Sequence, residues 1–137
     1  MDLASFHLLF SKPGQEALAA AGQLQPKEAD YLRHFQNLEK QFPKQIAQAV
    51  LETAILRKEA QKKFPQADKM YFTREALEQA SPHQVSSYRA ERFHDYSSLV
   101  NLACSIGSDT LNMGRMATST GIDKDSLRLA MAQANAD

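Results

Sequence analysis

The chain has 137 residues, 43% of them hydrophobic, and its 16 Lys and Arg side chains are balanced by 16 Asp and Glu. This length suits one ordinary domain, or a small helical domain and part of a second, rather than two complete domains. A formal net charge of zero excludes a global field drawing the molecule to nucleic acid or an anionic membrane, so any such partner has to be met by a local patch.

The N-terminal "MDLASFHLLF" combines an acidic second residue with a broken apolar run and no small-residue cleavage site, and does not read as a signal peptide. From Asp2 to about Phe93 the pattern is helical: glycine is sparse, Ala, Gln, Glu, Lys and Leu dominate, and apolar residues recur at helical spacing. Pro13, Pro26, Pro43, Pro65 and Pro82 each fall where one periodic segment yields to the next, because proline is tolerated in a first helical turn and excluded from helix interiors. The longest segment, "PKQIAQAVLETAILRKEAQKKF", carries Ile46, Val50 and Ala54 beside Ala47, Leu51 and Ile55, a broad apolar face that predicts a helix packed on two neighbours. In "SPHQVSSYRAERF", Ser81 is placed to cap a helix whose first residue is Pro82.

After "FHDYSS" the character changes. "SLVNLACS" reads as a strand, Ser108 to Met116 as a helix, "ATSTGID" as a second strand, and "KDSLRLAMAQANA" as a helix capped by Asp125 or Ser126. Strand, helix, strand, helix with short connections is the unit of a parallel α/β sheet. The expected fold is therefore mainly α: a helical domain over residues 1–93, then over 94–137 an incomplete Rossmann-like β-α-β-α unit, truncated after its second strand. No apolar run is long enough to span a bilayer. The one cysteine, Cys104, excludes an internal disulfide and suits a reducing compartment, so a cytoplasmic protein without a membrane partner is expected.

The chemistry-bearing stretch is "NLACSIGSD". A strand-to-helix turn that presents backbone N–H groups to a cofactor must be tight and built of small residues, which Ala103, Ser105 and Gly107 supply at alternate positions. A dinucleotide fingerprint of the G-x-G-x-x-G type would put its third small residue at Ser108 and leave Gly107 unexplained, which disfavours a nicotinamide enzyme. A G-x-G-x-G spacing puts glycine at Gly107. Sixteen residues further on, Asp123 closes the second strand, where a carboxylate can accept hydrogen bonds from a ribose diol.

"LVNLACSIGSDTL" followed by "TGIDKDSLRLAMAQANA" resembles the first two motifs of class I S-adenosylmethionine-dependent methyltransferases. The upstream "MYFTREALEQASPHQVSSYRAERF" is similar to the helical lead-in of a subgroup that includes trimethylguanosine synthase-like RNA methyltransferases and bacterial enzymes with a THUMP-like C-terminal region. The resemblance implies an S-adenosylmethionine cofactor and an RNA acceptor. It implies that Asn101 stands where the family has an acidic residue near the methionine amine, that Ala103, Cys104, Ser105, Ile106 and Gly107 form the loop under the cofactor, that Asp109 is a polar residue just inside the following helix, and that Asp123 is the ribose ligand. Thr73 is implied as a cofactor contact, and Phe72 and Arg74 as substrate contacts. Two loop glycines of the family are Ala103 and Ser105 here, substitutions expected either to obstruct the cofactor or to shift the loop. The family's catalytic motif follows its fourth strand, so the chain reads as the N-terminal part of such an enzyme, with no catalytic residue of its own.

Set against this is a non-catalytic helical binding module whose α/β tail is structural, its unfinished sheet inviting a second copy of the chain. Asp123 alone suits a helix-capping carboxylate, and Cys104 a small buried packing residue. His7, His34, His83 and His94 share no metal-ligand spacing and read as surface or packing residues. Arg57, Lys58, Lys62 and Lys63 form a local basic cluster that reads as a solvated helix face, with RNA contact as the sharper alternative. Arg74, Arg89 and Arg92 either extend it or pair with Glu75, Glu78 and Glu91.

Overall fold

A computed structural model describes residues 1–137, and it is mostly helical with one small parallel sheet. The chain divides into two compact units, Met1–Glu59 and Ala60–Asp137. The change of composition near residue 94 thus falls inside the second unit, which also takes in the helices just before it.

In the first unit the first two helices start where the sequence supplies a cap. Helix α1 (Leu3–Leu8) is capped by Asp2, whose carboxylate accepts the Ser5 N–H at 2.8 Å. Helix α2 (Lys12–Gln23) is capped by Ser11 and takes Pro13 in its first turn. Helices α3 (Tyr31–Leu38) and α4 (Lys44–Ala60) complete the unit. The six apolar residues singled out on α4 are all buried, and Ala49, Thr53 and Leu56 are buried with them, so its apolar surface extends beyond two stripes. Thr53 is tolerated there because its hydroxyl donates to the Ala49 carbonyl at 2.8 Å.

The second unit begins with α5 (Arg74–Gln79), capped by the Thr73 hydroxyl, and α6 (His83–Ala90). The last carbonyls of α5 would be orphaned, but the Lys63 ammonium donates to those of Leu77, Glu78 and Ala80 at 2.7, 3.0 and 3.1 Å. Ser81 does not cap α6. The helix starts one residue later than expected, with Pro82 as the residue before it, and the Ser81 hydroxyl accepts from Arg89 at 2.8 Å instead. Because α6 packs on the helix between the two strands, it belongs with the α/β elements.

Strands β1 (Ser98–Leu102) and β2 (Thr118–Ile122) pair in parallel, from Ser98 opposite Thr118 to Leu102 opposite Ile122. Helix α7 (Ser108–Met113) connects them and α8 (Ser126–Ala136) follows, capped by Asp125, whose carboxylate accepts from Leu127 and Arg128 at 3.0 and 3.1 Å. The half-buried face of the sheet carries Leu99, Asn101, Ser119 and Gly121, and α7 and α8 pack against the strands. The other face exposes Val100, Leu102 and Ile122. The Asn135 side chain clasps the unit from α8: it accepts the Tyr71 N–H at 2.7 Å and donates to the Tyr71 and Ile106 carbonyls at 3.1 and 3.0 Å. No helix is long and apolar enough to cross a membrane.

Close approach fixes one glycine in β2. A Cβ at Gly121 would lie 2.9 Å from Cys104 Sγ and 3.0 Å from Cys104 Cβ. Gly121→Ala is expected to lower unfolding free energy by about 1–3 kcal/mol, as overpacking does, and Cys104→Ala in the same chain to recover part of that loss. Urea unfolding of the single and double variants checks this; a full-strength Gly121→Ala protein would show that the contact yields easily.

Candidate functional site

Parallel strands leave a crevice beyond their carboxyl ends, because the chain turns away into helices there. In this chain that crevice is a cavity of about 550 Å³. Asn101, Ala103, Cys104, Ser105, Ile106 and Asp109 line it from the β1–α7 side, and Ile122 and Asp123 from the end of β2. Seven of the nine residues expected at a cofactor site are therefore brought together. Gly107 starts α7 directly behind the loop, and Thr73 is elsewhere, its hydroxyl occupied in accepting the Ala76 N–H at 3.1 Å.

The loop achieves its tightness by backbone conformation rather than by glycine alone. Ala103, Ser105 and Gly107 all have left-handed φ values, 59°, 52° and 85°. The two non-glycine residues adopt the left-handed conformation that favours glycine, each at a cost of about 1–2 kcal/mol. Beyond Gly107 a side chain would also meet Ala132, whose Cβ lies 3.3 Å from the Cβ that would be added.

Asp123 spans the top of the strand pair. Oδ1 accepts the Asp125 N–H at 2.9 Å and Oδ2 accepts the Ser105 N–H at 2.8 Å. The N–H of Asp125 first, then that of Ser105 and the charge of Arg128, hold its carboxyl below the usual aspartate range, so it is ionised at neutral pH. Each oxygen retains acceptor capacity for a ligand. Nearby, Ser105 Oγ and Asp109 Oδ1 are buried without a hydrogen bond, while Asp109 Oδ2 meets Arg89 at 3.5 Å. Asn101 donates to the Thr110 hydroxyl at 2.8 Å. Cys104 is packing material: burial, and then the Asp123 carboxylate, push its thiol up, which keeps it protonated and unreactive.

The lead-in residues take other positions. Phe72 is buried with its ring 5.6 Å from that of Phe64, and neither Phe72 nor Arg74 lines the cavity. Its wall is supplied instead by Gln79, Ala80 and Ser81 at the end of α5, and by Lys124 and Arg128. Arg128 is the contributor that sequence reasoning missed. Its guanidinium reaches Glu75 at 2.7 Å and Gln79 at 3.3 Å, and it stands one turn after the Asp125 cap, a spacing that was the available signal.

Two outcomes follow from this geometry. Ser105→Gly removes both a left-handed serine and an unpartnered hydroxyl, and is expected to raise unfolding free energy by about 1 kcal/mol net of the extra glycine entropy, read as an increased urea midpoint. A lowered carboxylate contributes stability above its unfolded pKa and loses it as pH falls through the lower folded value. Asp123→Asn is therefore expected to be less stable than the parent at pH 7, with the gap closing as pH drops below about 4; thermal melts across that window measure it, and a pH-independent gap would assign the effect to lost geometry.

Residues 2–60 match a protein family described as a domain of unknown function (DUF8688). No curated protein and no solved structure matches the chain significantly.

Proposed function

We propose that the β1–α7–β2–α8 segment is the opening of a Rossmann-like domain of a class I S-adenosylmethionine-dependent methyltransferase, and that the strand-end cavity is the cofactor's half-site. One observation carries the reading: an ionised carboxylate at the end of β2 faces a loop of three left-handed residues across an open cavity at the carboxyl ends of parallel strands. Asp123 would accept from the ribose hydroxyls, and the unpartnered Ser105 and Asp109 atoms would gain partners. A volume of about 550 Å³ lies within the range of cofactor pockets. When bound, the cofactor supplies an electrophilic methyl group; this chain's residues bind and orient it, and no residue here is assigned to acceptor chemistry.

The uncovered sheet face fits the same reading. Its exposed side carries Val100, Leu102 and Ile122 beside Ser98, Thr118 and Thr120, a partly apolar face that a further layer or a second copy of the chain would cover. RNA as the methyl acceptor has thinner support, because the Lys58 ammonium is engaged by the Gln25 carbonyl at 2.6 Å and that of Lys63 by the end of α5. The competing reading, a binding module with a structural tail, draws on the same Asp123: its two backbone bonds already close the turn without a ligand.

Calorimetric titration with S-adenosylhomocysteine separates the two. Binding that weakens at least about ten-fold in Asp123→Asn, the loss of one charged hydrogen-bonding group, is the expected result. Absence of binding at millimolar ligand, or equal binding by the variant, overturns the cofactor reading in favour of the structural tail.

A further inference from the structure

A second cavity in the Ala60–Asp137 unit, of about 270 Å³, has a chemistry unlike the first. Phe64, Met70 and Leu111 give it an apolar wall, the first two of them buried. Arg115, just beyond the end of α7, also lines it, is exposed, and its guanidinium has no hydrogen-bonding or ionic partner. No aspartate or glutamate lines this cavity, whereas Asp109 and Asp123 line the first. Asn112 and Asn135 of the wall are held by internal hydrogen bonds. The Ser87 hydroxyl donates to Asn112 Oδ1 at 2.9 Å, Asn112 Nδ2 donates to the Ser108 carbonyl at 3.0 Å, and His83 Nε2 approaches the Ser87 oxygen at 3.4 Å.

A rigid polar wall, an apolar wall and one uncompensated guanidinium in a single concavity complement a small molecule with an apolar body and one negative end. We propose that this cavity binds a small apolar carboxylate, with its ring or short chain against Phe64, Met70 and Leu111 and its carboxylate paired with Arg115. The volume, just below the roughly 300–1,000 Å³ of drug-sized sites, limits the ligand to a body the size of benzoate. The proposal is independent of any cofactor at the strand ends.

The test is an amide-shift titration of the full chain with three probes: benzoate, benzyl alcohol, which keeps the ring and lacks the charge, and inorganic phosphate, which keeps the charge and lacks the ring. Benzoate is expected to shift the amides of Met70, Leu111 and Asn112 and to bind about ten-fold more tightly than benzyl alcohol, the value of one charged hydrogen-bonding pair. Arg115→Gln, an exposed substitution checked for an unchanged melting temperature, should bring benzoate down to benzyl alcohol and leave the alcohol unchanged. Benzoate shifts scattered over the surface lysines, benzoate affinity indifferent to Arg115→Gln, or phosphate binding as tightly as benzoate would each overturn the proposal.

Discussion

The second unit hangs on one carboxylate. By accepting the Ser105 N–H, Asp123 ties the loop after β1 to the end of β2, and by accepting the Asp125 N–H it sets the start of α8. A two-stranded parallel sheet has little stability of its own, since each strand has only one paired edge and parallel bonds are slanted. Charge-assisted bonds at the strand ends are therefore where register and turn geometry are secured. The Asn135 clasp performs the same service at the other end of α8, joining it to Tyr71 and Ile106.

That arrangement explains how a loop with alanine and serine at two of its three left-handed positions keeps a glycine-like path. Left-handed alanine and serine are unfavourable, yet the parallel pairing on one side and α7 on the other leave the chain no alternative route. The cost falls on a turn whose two flanking elements are held, and the cavity above it stays open. A single carboxylate thus links stability to the proposed ligand chemistry, because the group that closes the turn is also the one to which the proposal assigns the ribose.

Much of this was legible in the residues. The proline punctuation and the Asp125 cap mark local events decided within one helical turn, and the six apolar positions of α4 follow from periodicity alone. The two strands were legible because small, branched runs alternate with helical ones, although each proved shorter than its apolar run once the chain reached its turn. Ser81 was misread because the same signature suits a cap and a plain acceptor, and Arg89, eight residues away, decided between them. The packing of Phe72 on Phe64 depends on a neighbour that sequence spacing does not reveal.

The sequence by itself determined the helical character of the chain and the parallel strand pair, because local propensity and a short crossover leave one economical geometry. Only the tertiary structure decided which residues wall the cavities. Arg128, Gln79 and Ser81 join one, and Arg115 meets Phe64 and Met70 in the other, through contacts between segments far apart in the chain. Such contacts are set by how helices pack, and helix packing depends on shape and burial summed over many residues rather than on any single spacing.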